Sequence, residues 1–156
     1  MNYPKYGIAS NHDFTIFKFI SIGKNGVITK VIEFTKTNNG SVYNLGFGDR
    51  FDINTEKGFS IDDVAISNNG DRNKILATIA NAIFVFTENY PERYVYFTGT
   101  TLVRTRLYRM VISNNIKELS SVFYIFGIVH DKLTGRDSAI DFDSDKNFIG
   151  FLIKRR

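Results

Sequence analysis

Residues 72–97 read RNKILATIANAIFVFTENYPERYVYF, and this stretch decides the fold class. Ile75, Ile79, Ala82, Ile83 and Phe86 recur at helical spacing, while Leu76, Ala80 and Phe84 widen the same face. So broad an apolar face predicts a helix over Arg72 to Asn89 that is largely buried against a sheet. Pro91 ends it, because proline disfavours helical geometry in the residue before it. Directly after the break, Tyr94 to Phe97 reads as a compact aromatic strand.

Upstream of this helix the chain reads as strands. Phe14, Ile16, Phe17 and Phe19 open an apolar run through Ile22, and Lys24-Asn25-Gly26 supplies turn chemistry. Val27 to Thr35 is rich in β-branched residues and makes a second strand. Thr37-Asn38-Asn39-Gly40 is another turn, and Val42 to Phe47 a third strand, with Val42, Asn44 and Gly46 on one face and Tyr43, Leu45 and Phe47 on the other. Gly48 to Ser60 turns polar and reads as an exposed loop or wide hairpin. Ile61 to Ile66 is a short fourth strand, after which Ser67, Asn69 and Asp71 each offer a helix cap.

Downstream, Thr98-Gly99-Thr100-Thr101 leads into a second helix from about Leu102 to Ile112, resuming through Ile116 to Leu119. Its apolar stripe is read as Val103, Leu107, Met110 and Val111. Val122 to Val129 is a strand, Asp131 to Lys146 a polar loop, and Phe148 to Ile153 the closing strand. The order β-β-β-β-α-β-α-β-β predicts a single α+β domain over residues 1–156, its mostly antiparallel sheet covered on one face by two helices.

Composition excludes whole classes of chemistry. Among 156 residues there is no Cys, which removes disulfides, thiolate zinc sites, iron–sulfur clusters and thiol nucleophiles. Two His cannot build a pure histidine metal site within one chain. There is no P-loop, dinucleotide fingerprint or nucleophile elbow, and no cofactor is expected. The N-terminus lacks the apolar stretch of a signal peptide, and Ile75 to Phe86 is too short to span a bilayer. Together with the missing Cys, these point to a cytoplasmic address and no membrane partner.

Twenty Lys and Arg against sixteen Asp and Glu leave a net charge of +4, which suits an anionic partner without requiring one. The candidate site is Gly99, Thr100, Thr101, Arg104, Arg106, Tyr108 and Arg109. Free amides at a helix start, two hydroxyls and three arginines are groups that hold an anion. The same residues also suit a capped helix whose arginine stems lie along a packed surface. Asp141, Asp143 and Asp145 alternate, as cation ligands do, but lack the glycine and terminal glutamate of an EF-hand. His12 and His130 each precede an Asp and are otherwise isolated.

Phe47-Gly48-Asp49, Ile66-Ser67-Asn68-Asn69-Gly70-Asp71, Ala77-Thr78-Ile79, Tyr90-Pro91, Gly99-Thr100-Thr101, the block Arg104 to Met110 and the Phe151 to Arg155 ending resemble a family of short bacterial proteins of unknown function common in Bacteroidetes. The resemblance runs over nearly the whole chain and implies one intact domain from a bacterium, with no catalytic role to transfer. Three function classes remain. The first is a small binding protein that takes RNA or DNA on the second helix. The second is a protein-interaction or structural module, homodimeric or with another partner. The third is a phosphate-ester enzyme or metal-independent nuclease, with Arg104 or Arg109 as clamp and Tyr108 or a histidine moving the proton.

Overall fold

The computed structural model describes residues 3–52, 59–62 and 69–156. Its elements are β1 (Ala9–Ser10), β2 (Ile16–Gly23), β3 (Gly26–Lys36), β4 (Val42–Asp52), β5 (Phe59–Asp62), α1 (Arg72–Asn89), β6 (Tyr94–Phe97), α2 (Leu102–Asn114), α3 (Ile116–Val122), β7 (Phe123–His130), β8 (Asp137–Asp141) and β9 (Gly150–Arg155). The class is α+β with a mostly antiparallel sheet, as the sequence implies; β4 and β6 are a parallel pair. The chain divides into two compact units, Met1–Thr35 with Leu45–Asn89 and Lys36–Asn44 with Tyr90–Arg156.

Three differences from the sequence reading have physical causes. Among the described residues there are three helices, not two, because Asn115 closes α2 and opens α3: its backbone N–H donates to the Val111 and Ile112 carbonyls, and its carbonyl accepts from Leu119. The segment read as one polar loop, Asp131 to Lys146, contains β8, which pairs with β7 from His130↔Asp137 to Phe126↔Asp141. As the last strand of the order β4-β6-β9-β7-β8, β8 is paired on one side only among the described residues and so carries polar letters. Finally, β4 continues past Phe47 to Asp52 and pairs antiparallel with β5, so of the two readings of Gly48 to Ser60, loop or wide hairpin, the strands form the hairpin. The rest of that loop, the end of the fourth predicted strand and Ser67 lie outside the described residues.

The first unit is built on the β2–β3 hairpin, whose turn closes at Gly26 with φ +97, a conformation glycine adopts without strain. Phe17, Phe19, Ser21, Lys30, Ile32 and Phe34 are buried, and the Phe34 ring stacks on Phe86 of α1 with centroids 4.1 Å apart. Lys30, buried among them, is ion-paired with Asp49 of β4. The predicted α1 bounds are the observed ones, but its buried face holds Thr78 and Thr87 as well as Ala82, Ile83 and Phe86. Both threonines are satisfied by donating to carbonyls one turn back, Lys74 and Ile83. Phe84 points outward.

The start of α1 is tied to the hairpin through one carboxylate. The Asp71 carbonyl accepts the Ile75 N–H, while its Oδ2 accepts from both the Tyr6 hydroxyl and the Ser21 hydroxyl, each at 2.5 Å. Asn69 donates to the same Ser21 Oγ at 3.0 Å. Burial, then the Asp71 hydrogen bond, pushes the Tyr6 phenol above its ordinary pKa. Asp71→Ala leaves the Ser21 hydroxyl, which is fully buried, without its acceptor. Urea melts of this variant are expected to show a loss of about 1–3 kcal/mol, and a larger loss than Tyr6→Phe.

Candidate functional site

In the second unit the sheet order is β4-β6-β9-β7-β8, with only Val42–Asn44 of β4 taking part. Residues paired across neighbouring strands share a face. One face carries Val95, Phe97, Phe151, Ile153, Ile125 and Ile140. Against it lies a core of Ile112, Phe148 and Phe151, joined by Phe97 and Tyr108 and by Ile116 and Leu119 of α3. Both helices of the unit pack on this face.

Gly99 fixes how α2 is seated there. A Cβ on Gly99 would stand 2.5 Å from the Thr105 nitrogen and 2.6 Å from the Arg104 Cβ, so only glycine lets the first turn come this close. The Gly99 N–H donates to Thr105 Oγ1 at 3.2 Å, and that hydroxyl donates to the Thr101 carbonyl at 3.1 Å. Thr101 caps the helix, its side chain accepting the Arg104 N–H. The buried side is therefore Thr105, Tyr108 and Ile112. The stripe expected from the sequence is not the core stripe: Val103 is 74% exposed and Met110 56%. A helix turned to bury them would pull Thr105 away from Gly99.

The seven candidate residues separate into four settings. Gly99, Thr100, Thr101 and Arg104 come together: Arg104 Nη1 donates to Thr100 Oγ1 at 2.8 Å, so both threonine hydroxyls already have partners. Arg109 reaches the loop before β9 and donates to the Lys146 carbonyl and to Asn147 Oδ1 at 2.6 Å. Arg106 stands apart on the exposed side. Tyr108 packs edge-on to Phe97. Burial raises its pKa, with the Arg104 charge working the other way, which keeps it a neutral phenol at physiological pH.

Other groups singled out by the sequence are dispersed. His130 Nδ1 is 2.6 Å from Asp137 Oδ1 at the end of the β7–β8 pair, and His12 is exposed in a turn. Asp141 and Asp143 border a cleft of about 540 Å³ with Ser113, Ile116, Ile140 and Phe142. The Asp143 carboxylate accepts the Asp145 backbone N–H. Among the described residues no group of His, Asp and Glu can hold a metal ion, and no helix is long and apolar enough to cross a membrane.

The opposite sheet face was not singled out from the sequence. Pairing places Tyr94, Lys154 and Tyr124 in one row across β6, β9 and β7, and Tyr96, Leu152 and Phe126 in the next. Tyr124 is 45% exposed, and the Arg156 guanidinium lies 4.4 Å from its ring centroid. Lys154 Nζ donates to the Arg155 carbonyl. The Tyr96 ring lies over Gly150, where a Cβ would meet its hydroxyl at 2.6 Å. Burial, then the Asp137 charge, raises the Tyr96 pKa. The acidic groups of this face, Asp137 and Asp141, sit on the β8 edge. A β-branched and aromatic run before a basic ending was the available signal; strand pairing was needed to align the rings.

These observations define an α+β protein with aromatic and basic residues aligned on one sheet face and an arginine-bearing helix packed on the other. The chain belongs to the DUF6934 family of unknown function, whose model matches residues 2–156. Comparison with curated proteins gives no match, and comparison with solved structures gives none either.

Gly99→Ala is expected to cost about 1–3 kcal/mol in denaturant melts, since the added methyl meets helix backbone rather than a movable side chain. Tyr96 and Tyr108 give a second check. Both phenols hold their protons more tightly in the folded chain, so above about pH 10 the unfolded chain ionises first and stability falls as pH rises. Phenolate absorbance in an alkaline titration is expected to include ionisations later than free tyrosine.

Proposed function

We propose that the protein binds single-stranded nucleic acid on the sheet face formed by Tyr94, Tyr96, Lys154, Tyr124 and Phe126. The observation that carries this reading is the row Tyr94–Lys154–Tyr124, with Arg156 against Tyr124. Single strands expose the faces of their bases, and aromatic rings on a sheet stack on them while neighbouring cations meet the phosphates. Strands lie about 4.8 Å apart, so Tyr94 and Tyr124 flank Lys154 at about 10 Å from each other. That gives two stacking positions around one phosphate contact. The acidic β8 edge disfavours a polyanion, so the strand crosses at the β9 end, near Lys154 and Arg156.

The anionic partner that the net charge suits is thereby assigned to the sheet and not to α2. The assignment follows from the tyrosine row, which offers bases a stacking surface that α2 lacks; Arg104 and Arg109 are hydrogen-bonded to the protein's own loops, as Lys154 is to the Arg155 carbonyl.

With no Trp in the chain, tyrosine emission itself reports on the face. Titration with single-stranded oligo(dT) and oligo(U) at low salt is expected to quench it, with duplex binding more weakly. Affinity should fall steeply with rising salt. Tyr124→Ala and Lys154→Ala should each weaken binding about 5- to 50-fold, the range expected for losing one stacked base or one phosphate contact. No binding at low salt with tens of micromolar protein, or full binding by both variants, would refute the assignment.

A further inference from the structure

The solvent side of α2 is chemically unlike an ordinary helix surface. Leu102 is 78% exposed, and with Val103 and Met110 it forms an apolar arc around Arg106. At 100° per residue these four residues span about 100° of the helix, opposite the buried Thr105, Tyr108 and Ile112. Exposed apolar side chains scattered singly need no explanation, but three on one short arc do. Arg104 and Arg109 stand on the two flanks, and residues 102–114 contain no Asp or Glu. The arc therefore sets one positive charge among three exposed apolar side chains, with no negative charge on the helix.

We propose that this arc is a docking surface for an acidic amphipathic helix of another protein. Leucine-like side chains on the partner pack between Leu102, Val103 and Met110, and its carboxylates pair with Arg106 at the centre, while Arg104 and Arg109 keep their own hydrogen bonds and add positive potential on the flanks. Charge complementarity selects this occupant. A second copy of α2 would bring arginine against arginine, and a nucleic acid would leave the three apolar side chains in water. The surface is separate from the sheet face proposed for nucleic acid, since α2 packs on the other side of the sheet.

The assay uses the full chain and two labelled helical peptides. One has a leucine stripe flanked by glutamates; the other has lysines in place of the glutamates. Fluorescence anisotropy is expected to show the acidic peptide binding at least about tenfold more tightly than the basic one, weakening with salt. Met110→Asp should abolish this binding, and Arg106→Glu should reverse the preference between the peptides. Both positions are exposed, and thermal melts should match those of the unaltered chain; Leu102→Asp replaces either variant whose melt does not. Equal binding of both peptides, no binding of the acidic one, or indifference to these substitutions would overturn the proposal. So would loss of oligo(dT) affinity in Arg106→Glu, which would give the arc to nucleic acid.

Discussion

The approach of α2 to Gly99 is the constraint on which the second unit depends. Backbone atoms of Thr105 and Arg104 occupy the space where any other residue would carry its Cβ. The Thr105 hydroxyl then bridges the Gly99 amide and the Thr101 carbonyl. With its first turn pinned, the helix has one rotation open to it. Tyr108 and Ile112 go into the core, while Leu102, Val103 and Met110 go out. Burying the latter set instead would recover apolar area at about 25 cal/mol per Å², but only by losing the close contact and the bridging hydroxyl. The exposed arc is thus a consequence of how the helix begins.

Much of the fold was legible. The α1 bounds follow from five apolar residues at helical spacing and Pro91, and the hairpin turn from Asn25-Gly26. Strong periodicity and unambiguous breakers make these local decisions, which local sequence can settle. Strand β8 was not legible, because Asp137-Ser138-Ala139-Ile140-Asp141 has the composition of a loop and becomes a strand only by pairing with β7. The rotation of α2 was misread for a related reason. Counting apolar letters favours Val103 and Met110, whereas the decision rests on a threonine that meets a glycine six residues earlier.

The candidate site shows the same division. A threonine cap, at Thr100 or Thr101, and the tight position of Gly99 could be read from four consecutive letters; the structure gives the cap to Thr101. The fate of Arg109 could not, since its acceptors are Lys146 and Asn147, more than thirty residues away. Nor could the aromatic row, whose members come from three strands separated by about thirty residues each. Face sharing across a sheet is a property of register, and register is set by the whole sheet. With α2 and α3 packed on one side, the rings and cations of the other form a surface of a different character.

On the function proposed above, the aromatic row, and not the helix start, meets the nucleic acid. Backbone amide shifts of isotopically labelled protein, followed during titration with single-stranded oligo(dT) at low salt, test it most directly. The largest shifts are expected on Tyr94, Tyr96, Tyr124 and Lys154 and their strand neighbours. Shifts concentrated between Gly99 and Arg109, with the sheet unmoved, would contradict it.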